Sequence, residues 1–324
     1  MNRRDALLAL IALGVAPRAA EAQPAAKLPR IGVLWQTEPP PPVHPNIASL
    51  MKNLNDLGWQ DGKTVAIEYR FAGNDADRLA RFANELVGLK VDLITTTGDL
   101  STRAAQQATA TIPIVTVVGF PVESGFVKSL ARPGGNITGV AVISDELAAK
   151  RLEVLKELMP RLSRVAVLWD PVTSERQPKA SEAAARALGL KVEVLRAKSA
   201  AELESAFASA AAARAEAILV SVSPMFLGNR ATFVSLAARH RIPVMYYHPA
   251  WVEIGGLISY GFVADEQWKL VAASIDKILK GARAADLPVQ QPTTFELVIN
   301  QKTAKTLGLK IPQSILLRTD RVIE

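Results

Sequence analysis

The chain has 324 residues, 49% of them hydrophobic and 21% charged, with a net charge of +7 and no cysteine. Its length corresponds to about two domains, and its balance of apolar and charged residues excludes a disordered chain. The lack of cysteine excludes disulfides, thiolate zinc sites, iron–sulfur clusters and a thiol nucleophile, the three histidines at 44, 240 and 248 have no metal-ligand spacing, and the scattered Lys and Arg form no run that would hold nucleic acid.

Met1-Asn2-Arg3-Arg4 is a basic start, Ala6 to Ala16 (ALLALIALGVA) is an apolar run, and Ala20-Glu21-Ala22 is a small-x-small site before Gln23. This is the pattern of a secretory signal peptide over residues 1–22, cleaved after Ala22. The apolar run is well short of the ~20 residues that span a bilayer, and no cysteine follows it to carry a lipid, so the exported chain is expected to be free of a membrane anchor. The Arg3-Arg4 pair leaves a twin-arginine route open beside ordinary secretion. A periplasmic location follows.

Beyond the signal, Val- and Ile-rich runs alternate with Ala- and Leu-rich helical stretches, which predicts α/β units with parallel sheets. Strands are expected near 30–36, 63–70, 92–96, 113–118 and 137–142, with a helix at about 76–89. The long apolar-striped stretch Asp145 to Met159 follows, with Leu147, Leu152, Leu155 and Leu158 on one face and Pro160 ending it. A second set of strands is expected near 164–169, 190–196, 216–222, 243–247 and 256–260, with a helix at about 200–214. A helix at about 265–279 and a strand–helix unit from Phe295 to Leu307 complete the chain.

The two sets repeat one another. Arg30-Ile31-Gly32-Val33-Leu34-Trp35 parallels Arg164-Val165-Ala166-Val167-Leu168-Trp169, and Ile112-Pro113-Ile114-Val115 parallels Ile242-Pro243-Val244-Met245. A repeat this long means duplicated domains. The predicted fold is two Rossmann-like lobes with parallel sheets, a cleft between them and crossing segments as hinge. Lobe 1 takes residues 23–141 plus about 262–292, lobe 2 takes 142–261, and 293–324 form a strand–helix extension packing on the lobes.

Ligands of open parallel sheets bind beyond the carboxyl ends of the strands. The residues there are Gln36, Thr37, Thr97, Gly98, Asp99, Gly119 and Phe120 in the first half, and Asp170, Ser223, Phe226, Tyr247 and Trp251 in the second, with Tyr260 at a crossing strand. Trp35, Trp169, Tyr246 and Phe262 lie near strand ends too. Such aromatics form either apolar walls or core. Gly98-Asp99-Leu100-Ser101-Thr102 opens a helix whose N–H groups and hydroxyls suit a carboxylate, unless Asp99 or Ser101 is only its cap. The proline run 39–42 is a stiff extended loop at the cleft rim or an exposed linker. Asn136-Ile137-Thr138 matches a glycosylation sequon but reads as a turn.

No nucleophile elbow, phosphate loop or dinucleotide fingerprint is present. His248 is a candidate general base with no readable acid or nucleophile beside it, and Glu253 is a cleft acid or a surface charge. No catalytic residue, metal or cofactor is predicted.

Five segments carry a resemblance: Ala131 to Gly139 (ARPGGNITG), Lys150 to Leu158 (KRLEVLKEL), Gly255 to Gly261 (GGLISYG), Asp276 to Gly281 (DKILKG) and Leu287 to Asn300 (LPVQQPTTFELVIN). With them, from about Arg30 to Glu324, the chain resembles the ABC transporter substrate-binding proteins of the tryptophan/tyrosine-uptake type, which have a type I periplasmic-binding-protein fold. The resemblance implies a monomeric receptor, not an enzyme, that closes its lobes around a small molecule. It also implies an inner-membrane ABC permease with its own ATPase subunits as partner. Members often read Gly-Asp-Pro-Val where this chain has Gly119-Phe120-Pro121-Val122, and Gly-Thr-Pro where it has Gly98-Asp99-Leu100. An acid at 120 would pair with a ligand ammonium. With Phe120 there and Asp99 next door, both an aromatic amino acid and an amine-free aromatic or aliphatic carboxylate stay open as ligands. A ligand-sensing module for a signalling partner and a periplasmic enzyme with an interlobe site are the alternatives to transport.

Overall fold

The computed structural model describes residues 28–37, 44–142 and 145–324. The signal peptide and the proline run at 39–42 lie outside the described residues. The first sheet contains β1 (Arg30–Trp35), β2 (Ala66–Phe71), β3 (Leu93–Thr97), β4 (Ile114–Val118) and β5 (Ile137–Ala141), all parallel, in the order β2-β1-β3-β4-β5. β1, β3, β4 and β5 are almost wholly buried, as expected when helices cover both faces of a parallel sheet. Those helices are α1 (Pro45–Asp56), α2 (Ala76–Gly88) and α3 (Asp99–Ala108). α2 starts where the Asp75 carboxylate accepts from the Arg78 amide at 2.9 Å, and it turns Leu79, Ala83 and Leu86 onto the sheet.

After β5 the chain crosses to α4 (Asp145–Leu158), whose Leu147, Leu152, Leu155 and Leu158 are buried as their spacing predicts. The second sheet follows with β6 (Arg164–Trp169), β7 (Lys191–Arg196), β8 (Ala217–Val220), β9 (Val244–Tyr246) and β10 (Ile258–Phe262). These strands lie in the order β7-β6-β8-β9-β10, the order of the first sheet. Its helices are α5 (Arg176–Ala187), α6 (Leu203–Ala212), α7 (Pro224–Gly228) and α8 (Arg230–His240). The repeat read from the sequence is therefore a repeat of topology.

The chain then returns to the first lobe. α9 (Ala264–Leu279) brings Trp268, Val271 and Ile275 into a core with Trp35, Leu50 and Leu54. The segment after it runs beside β5, where the Thr138 hydroxyl donates to the Leu287 carbonyl at 2.7 Å and the Ala141 amide to the Gln290 carbonyl at 2.8 Å. A last crossing leads to β11 (Phe295–Asn300), which pairs antiparallel with β10, and through α10 (Gln301–Thr306) and α11 (Gln313–Leu316) to β12 (Arg321–Ile323) beside β11. The strand–helix extension expected to pack on the lobes instead widens the second sheet to seven strands. The physical reason is that β10 would otherwise be an unpaired edge.

Close backbone approach explains two glycines of the family segments. A side chain on Gly139 would stand 2.0 Å from the Thr116 carbonyl oxygen, and one on Gly261 would stand 2.0 Å from that of Tyr247. The sequon asparagine is turned inward: its side-chain amide donates to the Thr109 and Ile112 carbonyls at 3.1 and 2.9 Å.

Candidate functional site

A cavity lies between the lobes, walled by the carboxyl ends of both sets of strands. It encloses about 1000 Å³ of space not filled by atoms, its mouth included. The first lobe contributes Gln36, Asn46, Thr97, Gly98, Asp99, Gly119 and Phe120, and α9 adds Gln267. The second contributes Arg151, the turn Val172 to Ser174, Gln177, Val222, Pro224, Tyr247 and His248, with Phe262 on the crossing strand. In both sheets the ends of the first and third strands, where the strand order reverses and a crevice opens, contribute, Gln36 and Thr97 to Asp99 in one and Val172 to Ser174, Val222 and Pro224 in the other.

The decisive side chain is Arg151. It sits on α4, on the same face as Leu147 and Leu155, and is 4% exposed. Its Nε donates to the Tyr260 carbonyl at 2.7 Å. Among the described residues no carboxylate pairs with it, while the guanidinium borders the cavity. Burial pulls its pKa down to about 10, against the opposing influence of the Tyr247 and Tyr260 hydroxyls. It therefore stays charged at neutral pH. A buried cation without a counter-ion costs several kcal/mol, and an anionic group in the cavity would recover that cost.

The negative counterpart comes from the other lobe. Asp99 is the first residue of α3, after Gly98, whose positive φ of 81° lets the chain turn from β3 into the helix. The Asp99 carboxylate accepts from the Ser124 hydroxyl at 3.0 Å. Burial raises its pKa, against the lowering effects of that hydrogen bond and of Arg103. Gly98 carries no side chain because Gln36 Oε1 would lie 2.7 Å and Pro224 Cγ of the opposite lobe 3.3 Å from it. Phe120 forms wall, and the Arg176 guanidinium of the second lobe lies 4.3 Å over its ring. Arg176 also reaches Glu123 at 3.5 Å, so α5 grips the first lobe at the cavity mouth.

The structure brings Gln36, Thr97, Gly98, Asp99, Gly119, Phe120 and Tyr247 to the cavity. Five of the other expected residues do other work. Phe226 and Trp251 are core, each edge-on to Phe233, because their rings turn toward the sheet while Pro224 and Leu227 of α7 and Tyr247 and His248 after β9 face the cleft. Asp170 and Ser223 bond each other, Ser223 Oγ donating to Asp170 Oδ2 at 2.6 Å. Ser223 also caps α7 by accepting from the Phe226 amide, and Asp170 accepts from the Val172 amide. The pair shapes the wall from behind, and burial raises the Asp170 pKa. The Tyr260 ring stacks on Phe295, leaving its carbonyl to hold Arg151. Thr37, the sixth, is buried one residue beyond the lining and faces Gly228 of the second lobe. Ser101 and Thr102 donate back to the Thr97 and Gly98 carbonyls rather than into the cavity. Trp35 and Trp169 are interior. His248 lines the cavity, but its Nδ1 accepts from the Ala250 amide at 3.1 Å, which gives it a capping role. Glu253 is half exposed and pairs with Arg321 at 2.8 Å.

Arg151 escaped sequence reasoning because it lies mid-helix, far from any strand end. Its signal was a charge four residues from Leu147 and Leu155 on an apolar stripe. Gln177 was missed too. Its side-chain amide holds the Val222 backbone from both sides, at 3.0 and 2.7 Å, and so fixes the loop after β8.

The model of a family described as ABC transporter substrate binding protein matches residues 41–323. The chain belongs to that family. A relative described as tyrosine-binding protein, from Clostridioides difficile (strain R20291), is 28% identical over 275 residues, covering 82% of this chain and 79% of its own. The solved ABC domain in complex with L-Trp from Streptococcus pneumonia is 28% identical and superposes with a TM-score of 0.81, over 92% of this chain and all of that one. A ligand-free, open substrate binding protein with adhesive properties from Clostridium difficile is 26% identical over 91% of this chain and 99% of its own, yet scores 0.61. This substrate-binding protein has two α/β lobes with parallel sheets, the type I periplasmic-binding-protein architecture.

Proposed function

We propose that this substrate-binding protein captures an aromatic α-amino acid in the interlobe cavity, after export to the periplasm, and hands it to an inner-membrane ABC permease. The observation that carries the reading is the buried Arg151 guanidinium, with no carboxylate partner among the described residues, in a cavity whose opposite wall holds Asp99. A ligand with both a carboxylate and an ammonium would bridge the two lobes, its carboxylate on Arg151 and its ammonium on Asp99. Phe120, Tyr247 and Phe262 would surround its ring. A molecule that completes both charges would shift the lobes further toward the closed arrangement. The L-Trp complex and the tyrosine-binding relative support the same ligand class. Asp99 supplies an acid that Phe120 cannot, which favours an amino acid over an amine-free carboxylate.

The test is calorimetry and thermal unfolding of the protein, refolded to remove captured ligand, with L-tryptophan, L-tyrosine, indole-3-propionate, branched-chain amino acids and nucleosides. Ligand at ~100 times its dissociation constant stabilises by ~2.7 kcal/mol. Binding of the aromatic amino acids alone is the expected result. Stronger binding of indole-3-propionate would move the reading to an amine-free carboxylate. No binding across the panel would overturn it.

A further inference from the structure

We propose that lobe closure is gated by acid through a pair of imidazoles, His44 of the first lobe and His248 of the second, which the closed form accepts only as neutral rings.

Both rings are held in the same unusual way. His44 has no exposed surface, and its Nδ1 accepts from the Asn46 amide at 3.2 Å, which caps α1. His248 Nδ1 accepts from the Ala250 amide at 3.1 Å, which caps the 3-10 turn Pro249–Ile254. A nitrogen that accepts a hydrogen bond carries no proton, so in each ring the proton of the neutral form is on Nε2. Both Nε2 atoms are buried without a partner among the described residues. Charging either ring means protonating Nδ1, which breaks the cap; the Pro224 carbonyl of the second lobe is the acceptor that favours a charged His44.

The surroundings mostly oppose that charge. His44 lies at the lobe boundary, where a Cβ on Gly228 of the second lobe would stand 4.0 Å from its ring; the charges of His248 and Arg230 disfavour a charged His44, and that of Arg230 disfavours a charged His248. Glu253 acts on Arg230. From the first lobe, Trp35 presents its ring edge-on to His44 at 5.3 Å. On α9, which packs along α1, Asp265 is engaged by Ser49, Lys52 and Asn53. Among the described residues no carboxylate pairs with either imidazole. Burial first, then His248 and Arg230, hold the His44 pKa down to about 3, with the Pro224 carbonyl only partly offsetting them. Burial and Arg230 hold that of His248 down to about 4.

The sign follows. Above the ordinary imidazole pKa of about 6.5, both rings are neutral whether the lobes are open or closed, and pH has no effect. Below it, rings that opening exposes to water take up protons that the closed form refuses. Closing then weakens by about tenfold per ring for each pH unit down toward 4. A receptor so built holds its ligand at neutral pH and opens in acid.

The lobe boundary provides a ligand-free readout. A Cβ on Gly228 would stand 3.8 Å from Cβ of Thr37, the usual spacing of a disulfide at about 3.8 Å. The chain has no other cysteine to interfere. Thr37→Cys with Gly228→Cys is equilibrated with oxidised and reduced glutathione, so that two thiols are oxidised to the bridge as one oxidised glutathione is reduced. The same pair is measured with His44→Asn and His248→Asn, since Asn keeps a capping oxygen but does not titrate. From pH 7.5 to 5.5 the bridging constant of the His-containing chain should fall at least tenfold relative to the Asn chain. An equal pH dependence in the two chains would overturn the proposal, as would failure of either to bridge at pH 7.5. In the bridged protein, proton NMR of the imidazoles should show both rings neutral at pH 5.5, and protonation there would also overturn it.

Discussion

The two lobes share one strand order but complete the corresponding corner in opposite ways. In the first, the turn from β3 into α3 has no side-chain cap, and Gly98 and Asp99 open directly on the cavity. In the second, the turn from β8 into α7 is closed on itself: Ser223 caps the helix, Asp170 accepts from Ser223, and the Tyr247 hydroxyl donates to the Ser223 carbonyl at 2.6 Å. The second lobe instead presents its charge from α4, as Arg151. Duplication preserved the scaffold, whose register is fixed by strand pairing, and left the strand-end loops free to diverge. One lobe became an open polar corner and the other a sealed one with a buried cation.

The largest expected effect tests that division of labour. Arg151→Met should weaken amino-acid binding about 100-fold or more, in line with the 2–5 kcal/mol lost when a buried charge pair loses one member. The same change should leave the ligand-free protein as stable or more so, because a buried unpaired charge is removed. Calorimetry and thermal unfolding of one variant read both outcomes, and a destabilised protein with intact binding would make Arg151 structural.

Asp99→Asn sharpens the comparison from the other side. It should weaken L-tryptophan by about tenfold or more while sparing indole-3-propionate, since a charge-assisted hydrogen bond contributes about 1.5–3 kcal/mol. The raised Asp99 pKa sets a direction for the wild type. The carboxylate pairs with an ammonium only when ionised, so this contribution is present above the raised pKa and lost as pH falls through it. Titrating affinity in the His44→Asn, His248→Asn background isolates it.

Ser223→Ala should break the sealed corner without touching the ligand. It removes the α7 cap and the donor to a buried Asp170, for a loss of about 1–2 kcal/mol in denaturant unfolding. Ser101→Ala, in the open corner, removes only a hydroxyl bonded to the Thr97 and Gly98 carbonyls just before its helix and should cost less. Equal losses would mean the two corners do not differ.

The smallest effect is expected at Phe120. Phe120→Leu removes the contact between a buried ring and the half-exposed Arg176 guanidinium across the mouth, worth about 0.5–1 kcal/mol, and should weaken ligand binding a few-fold, mostly through faster release. A change of ligand preference instead would place the ring against the ligand's charged end.

Much of this was legible in advance. The strands fell within a few residues of their predicted places because buried parallel strands are continuous apolar runs, and the doubling was visible in Arg30 to Trp35 against Arg164 to Trp169. The strand-end rule placed Gln36, Thr97, Gly98, Asp99, Gly119, Phe120 and Tyr247 near one another, and the structure sets all of them on the cavity. It failed for Phe226 and Trp251, because a loop after a strand has two sides and only packing decides which one faces the sheet. It could not reach Arg151 or His44, which lie on helix faces and helix starts far from any strand end.

The amino-acid sequence by itself determined the α/β class, the repeat, the order of elements and the family, since these depend on local periodicity and on glycines and prolines that backbone geometry requires. Tertiary structure alone decided which charges meet. Arg151 and Asp99 are far apart along the chain, as are His44 and His248, and their roles come from shared burial at the lobe boundary. Desolvation and the lack of a partner are properties of surroundings, and surroundings exist only once the lobes have folded and closed.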